Sequence, residues 1–180
     1  MAKYIESINE NGESELLVAI KNDDVKEAKR LIDLGANVNV QDQQLDSPYL
    51  YAGAEGKTEI LAYMLEHADI DYTIFNRFGG NALIPASEKG HLENVKLILA
   101  AQKEDVDHQN NFGYTALIEA IALTDGSKVY QDIVRELLNA KANSGLVDKY
   151  RKTALDYAKE KNYYDMIEVL LSVRTGYVNF

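Results

Sequence analysis

The chain has 180 residues, 46% of them hydrophobic and 27% charged, which suffices for one sizeable core in an ordinary globular protein. A formal charge of −10 and a pI near 4.8, with no block of Lys or Arg, remove counterion release from nucleic acid as a driving force and disfavour anionic membranes. The absence of cysteine excludes disulfides, thiolate catalysis and Cys-ligated zinc, and no apolar run approaches the roughly 18 residues that span a bilayer.

After an N-terminal segment, 1–8, the chain runs through one template five times. A first unit, 9–41, opens on Asn9, carries the helical run GESELLVAI (12–20), and continues into a second helix within DDVKEAKRLIDLGANVN (23–39). The second, 42–75, repeats this with Asp42, LDSPYLYAG (45–53) and GKTEILAYMLEHADID (56–71). A third, 76–109, has Asn76, GGNALIPAS (79–87) and GHLENVKLILAAQKEDVD (90–107). The fourth, 110–147, has Asn110, GYTALIEAI (113–121) and QDIVRELLNAKANSG (131–145), with a turn insertion over 124–130. The fifth, 148–180, has Asp148, RKTALDYAK (151–159) and a closing helix in NYYDMIEVLLS (162–172) whose Tyr163, Tyr164, Asp165 and Glu168 suit a solvent-facing cap.

The template starts at 12, 45, 79, 113 and 151, so its intervals are 33, 34, 34 and 38. Each recurring residue has a mechanical reason. Asn or Asp three places before the start bonds nearby backbone, and Gly tolerates positive φ, so the chain reverses there. Ser14, Ser47, Thr115 and Thr153, with Asn81 in the third unit, stand where a side-chain oxygen accepts from an N–H of the first helical turn. Pro48 follows at the first helical position, where a missing N–H costs nothing. The alanine at 19, 52, 86, 120 and 158 lets the neighbouring helix approach closely.

On these residues the chain resembles the ankyrin-repeat family. The family pattern Asp-x-x-Gly-x-Thr-Pro-Leu-His-x-Ala is met by 110–120, its Gly-His by Gly90-His91, and its Gly-Ala-x-x-Asn by 35–39. A tetratricopeptide array has a similar period without the Asn-x-x-Gly turn before its first helix. The family's histidine is absent from all five units, where Leu17, Leu50, Ile84, Ile118 and Asp156 stand instead. Apolar packing is expected in its place through the first four. The resemblance implies an all-α solenoid of stacked helix-turn-helix units with short β-hairpin fingers, whose concave wall binds protein partners and which forms no closed active-site cleft by itself. The Asp-Gly of the fourth unit's longer turn, followed by Gln before the second helix, is similar to bacterial members of the family.

No catalytic, cofactor-binding or metal-ligating set is expected: His67, His91 and His108 are scattered across unit boundaries without a partner motif. The candidate contact residues are aromatic. Phe78, Phe112 and Tyr150 share one register position at the finger tips, Tyr114 lies two places beyond Phe112, and Tyr51 and Tyr157 hold the variable position before the template alanine. The rings either grip a partner or brace their own fingers. A non-enzymatic, monomeric protein-binding module is the expected function, with a protein partner of basic or neutral apolar surface, no nucleic acid and no membrane. The alternative is an accessory protein that protects or positions an enzyme. MAKYIESINE lacks the apolar core of a signal peptide, so the expected compartment is cytoplasmic, or extracytoplasmic if a signal preceded residue 1.

Overall fold

The computed structural model describes residues 4, 5 and 7–174, with side chains to 172, so half of the segment 1–8 and the end of the cap, 175–180, lie outside the described residues. Among the described residues ten helices follow in pairs: α1 (Glu15–Lys21) and α2 (Val25–Asp33), α3 (Pro48–Ala54) and α4 (Thr58–His67), α5 (Leu83–Glu88) and α6 (Leu92–Ala101), α7 (Ala116–Ala122) and α8 (Lys128–Asn139), α9 (Ala154–Glu160) and α10 (Tyr164–Arg174). The odd-numbered helices stack on one another in chain order, the even-numbered ones form a second layer, and each pair packs together. The fold is therefore the all-α solenoid that the period implies.

Each inner helix starts because a side chain just before it, one place ahead in four units and two places ahead of α5, takes up an exposed N–H. Ser14, Ser47, Asn81, Thr115 and Thr153 accept from Leu17, Leu50, Ile84, Ile118 and Asp156, each at 3.2 Å. Asp156 answers Thr153 in return, its carboxylate accepting from the Thr153 backbone and hydroxyl at 2.8 and 2.7 Å, a capping box at the position where the other four units bury Leu or Ile. Ala52, Ala86, Ala120 and Ala158 are wholly buried along the seam between inner helices. Leu16, Leu83, Leu117 and Ile121 fill the core beside them.

The fingers are hydrogen-bonded turns, and no strand is present among the described residues; an isolated bridge pairs Ile8 with Ser14. In every unit the Asx side chain accepts from the residues two and four places on, from Asn11 and Glu13 at the first finger to Tyr150 and Lys152 at the fifth. The side chain thus satisfies donors that a strand partner would otherwise take.

Two polar groups inside the stack were invisible in the sequence pattern. Asn94 of α6 is completely buried, donates to the carbonyls of Ala52 and Gly53 at 3.0 Å, and accepts from the Thr58 hydroxyl at 2.7 Å. It ties the open end of α3 to the next unit. Asn94→Ala removes a donor from both carbonyls, leaving the Lys57 N–H on Ala52 and no other partner for Gly53 among the described residues, and is expected to cost about 2 kcal/mol in denaturant unfolding. Glu104 reaches back to accept from the backbone of Ala82 and Leu83 at 3.2 and 3.1 Å and from the Tyr49 hydroxyl at 2.7 Å. Tyr49 occupies the place that Leu takes in the other units, and burial beside that carboxylate pushes its hydroxyl pKa far up while burial raises that of Glu104.

The insertion in the fourth unit differs from expectation. The second helix begins at Lys128, before Gln131, so the added residues are shared between one extra helical turn and a short irregular stretch, 123–127. Lys128-Val129-Tyr130 contains no breaker, and Asp132 pairs with both Lys128 and Arg135 along the lengthened helix. The irregular part is braced from the fifth unit. Tyr163 and Lys161 both donate to the Thr124 carbonyl, at 2.7 and 3.2 Å, and a Cβ added to Gly126 would stand 2.8 Å from the Tyr163 ring. Tyr163 is consequently half-buried, whereas Tyr164 faces solvent, 73% exposed.

Candidate protein-binding groove

The turn chemistry sets where the finger aromatics point. The N–H groups of Phe78, Phe112 and Tyr150 each donate to the Asx oxygen two places earlier, at 2.9, 2.9 and 2.8 Å, which pins the backbone under each ring. Neighbouring fingers are stitched by Asn111 N–H to the Phe78 carbonyl at 2.8 Å and by Lys149 N–H to the Phe112 carbonyl at 3.1 Å. Successive rings are thereby held one repeat apart. Phe78 and Phe112 have centroids 6.5 Å apart, and Phe112 and Tyr114 6.2 Å. Phe78, Phe112 and Tyr150 remain 48%, 45% and 66% exposed, an apolar row on three successive fingers.

Between this row and the inner helices lies a groove of about 370 Å³. Phe78, Phe112, Tyr114 and Tyr150 form its finger side, Ile84, Pro85 and Leu123 its helix side, and Glu88 and Glu119 are its carboxylates. Glu119 is only 6% exposed; its Oε1 accepts from Asn110 Nδ2 at 2.8 Å, and no further hydrogen bond to it is present among the described residues. Burial, helped by the nearby negative charge of Glu88 and opposed by the Asn110 bond, pushes its pKa up to about 7. The groove therefore has an aromatic wall and an acidic floor.

The structure brings together four of the six aromatic candidates, Phe78, Phe112, Tyr114 and Tyr150. Tyr51 and Tyr157 do not line the groove. Tyr51 lies beneath the Lys21 ammonium, 5.2 Å from its ring centre, in the first two units. Tyr157 donates its hydroxyl to Asp148, meets Tyr114 edge-on at 6.3 Å and has Lys152 over its face, so it holds the fifth finger to its helix. What the sequence reading missed was the depth of Glu119. The available signal was its register: Val18, Tyr51, Pro85 and Tyr157 hold that position elsewhere, and a carboxylate among them is the exception.

The histidines serve the scaffold. His108 stacks on Phe75 at 4.2 Å with Nε2 2.6 Å from the Gly79 carbonyl, His67 lies 4.2 Å from the Tyr63 ring, and burial lowers the pKa of His91, which packs under Gly56. Among the described residues no group of three or more His, Cys, Asp or Glu side chains is placed to hold a metal ion, and no helix is long and apolar enough to cross a membrane.

Comparison with known proteins agrees with the repeat fold. The family model for ankyrin repeats matches residues 16–107 and 83–179. YahD of Escherichia coli K12, named as an ankyrin repeat protein, is 40% identical over 142 residues, covering 79% of this chain and 70% of YahD. The solved ankyrin repeat protein EF0377 superimposes with a TM-score of 0.92 at 51% identity, over 93% of this chain and 84% of its own. An ankyrin repeat domain from Acinetobacter baumannii AYE gives 0.92 at 44% identity, over 97% and 88%.

Proposed function

We infer the function from one premise, that the chain belongs to the ankyrin-repeat family. Ankyrin repeats are in general protein-interaction modules, and this one acts as a non-enzymatic, monomeric, cytoplasmic binding module. It takes a protein partner through the finger tips and the adjoining faces of α5 and α7. The observation that carries this reading is the row Phe78, Phe112 and Tyr150, about half-exposed on successive fingers at the rim of an apolar groove. Large rigid rings desolvate a partner at low entropic cost, and aromatic residues dominate the energetics of protein interfaces. Rings whose only role was bracing would be buried against their own fingers.

The test separates those roles. Changing Phe78, Phe112 and Tyr150 together to Ser is expected to leave the helical circular dichroism in place and to lower the melting temperature by only a few degrees, because each ring is already half in water. Peptides selected from a displayed random library on the native protein are expected to lose binding to this variant by at least a hundredfold. Undiminished binding of every selected peptide would sink the proposal.

A further inference from the structure

Resting on the protein-binding reading above, we propose that the groove between the third and fourth units receives a lysine side chain of the partner protein, with its ammonium at Glu119 and Glu88 and its stem along Phe78, Phe112 and Tyr114. The repeat provides its own internal precedent. At the junction of the first two units the Lys21 ammonium donates to Glu13 at 2.7 Å and to Asp42 at 3.0 Å, and stands over the Tyr51 ring. Lys21, Glu88 and Glu160 occupy one register position, and Glu13, Gly80 and Lys152 another. In the fifth unit the same two positions pair again with their charges exchanged, Lys152 to Glu160 at 2.9 Å with the ammonium over Tyr157.

The third unit breaks that balance. Gly80 offers Glu88 no counter-ion, and Glu88 makes no ion pair among the described residues. One unit on, Glu119 stands where Tyr51 stands in the second. A place that elsewhere encloses an ammonium between carboxylates and a ring here holds two carboxylates, four rings and no ammonium. Glu119 is nearly buried, keeps one oxygen without a hydrogen bond among the described residues, and lines the groove. An unpaired carboxylate in apolar surroundings is held at a cost that an incoming cation removes. Ile84, Pro85 and Leu123 provide apolar surface for four methylenes, and the two acids come from different helices, which suits the compact, three-donor ammonium better than the planar fork of arginine. The chain's charge of −10 steers a basic segment towards it.

The experiment starts from the displayed random-peptide library, selected on the native protein and counter-selected on the triple Ser variant. One retained peptide is then measured calorimetrically with its lysine intact, replaced by norleucine and replaced by arginine, against the native protein, Glu119→Gln and Glu88→Gln. Lysine enriched at one position, at least a tenfold weakening by norleucine, and a Glu119→Gln variant that folds normally, binds the lysine peptide at least tenfold more weakly and no longer distinguishes it from norleucine are the expected results. Groove-dependent peptides without a basic residue, or a norleucine analogue that binds equally well, overturn the lysine site and leave the protein-binding reading standing. Arginine enriched to the exclusion of lysine overturns the choice of ammonium, and spermidine that displaces the peptide at matching affinity overturns the choice of a protein side chain. The absence of any groove-dependent peptide overturns both readings.

Discussion

Glu119→Gln is expected to stabilise the fold by about 3 kcal/mol above pH 8 and to leave it unchanged below pH 4. The Glu119 carboxyl has its pKa raised from 4.5 to about 7, chiefly by burial and secondarily by Glu88. Between those two values the folded state holds a proton that the unfolded chain has released. Stability therefore falls as pH rises from about 4.5 to about 7 and is flat beyond, by ~1.4 kcal/mol for each unit of separation. Gln keeps the acceptor for Asn110, found at 2.8 Å, and has no charge to desolvate. The difference in unfolding free energy between native protein and variant, followed from pH 4 to pH 9, isolates this group from the other carboxylates. A flat difference would show that Glu119 ionises as freely as it does in water. Paired with weaker peptide binding by the same variant, a rise in stability would mark Glu119 as a residue that the fold alone does not favour.

Gly113→Ala is expected to lower stability by about 3 kcal/mol and to weaken groove binding as well. Gly113 has φ +78, where an L side chain costs roughly 1–2 kcal/mol. Its added Cβ would stand 2.9 Å from Lys149 N, 3.0 Å from Asp148 Cα and 3.1 Å from Asp148 C. All three are backbone atoms of the next finger, so no rotamer change relieves the contact, and overpacking of this kind adds roughly 1–3 kcal/mol. The finger of the fifth unit must move away, which opens the Lys149 to Phe112 hydrogen bond and separates Phe112 from Tyr150 along the finger side of the groove. Thermal unfolding and peptide affinity measured together check both halves. Leu45 and Arg151 hold the same position at φ 60 and 63, so positive φ alone is tolerated at this turn.

Local chemistry was legible in the chain. The Asx turns and the hydroxyl and amide caps each depend on residues within five places of one another, and their recurrence with the template alanine at intervals of 33 to 38 identified the unit, the family and the helical stack. The finger aromatics were legible as a register, since equivalent positions in a solenoid line up whatever the side chain. Only the tertiary structure decided which of those rings share a groove. Tyr157 was drawn aside by Asp148 and Lys152, and Tyr51 was covered by Lys21, contacts that depend on charges in the next finger or across the same unit. The start of α8 at Lys128 was likewise decided by packing, because the fifth unit supplies Tyr163 and Lys161 to hold the shortened loop at Thr124. Glu104 and Asn94 bond to backbone about 20 and 40 residues away, and no local pattern encodes a partner at that distance. The same holds for Glu119. Its identity is written in the sequence, but its burial beside Glu88 exists only once two repeats close on each other, and that desolvation is what turns an ordinary glutamate into the acidic floor of the groove.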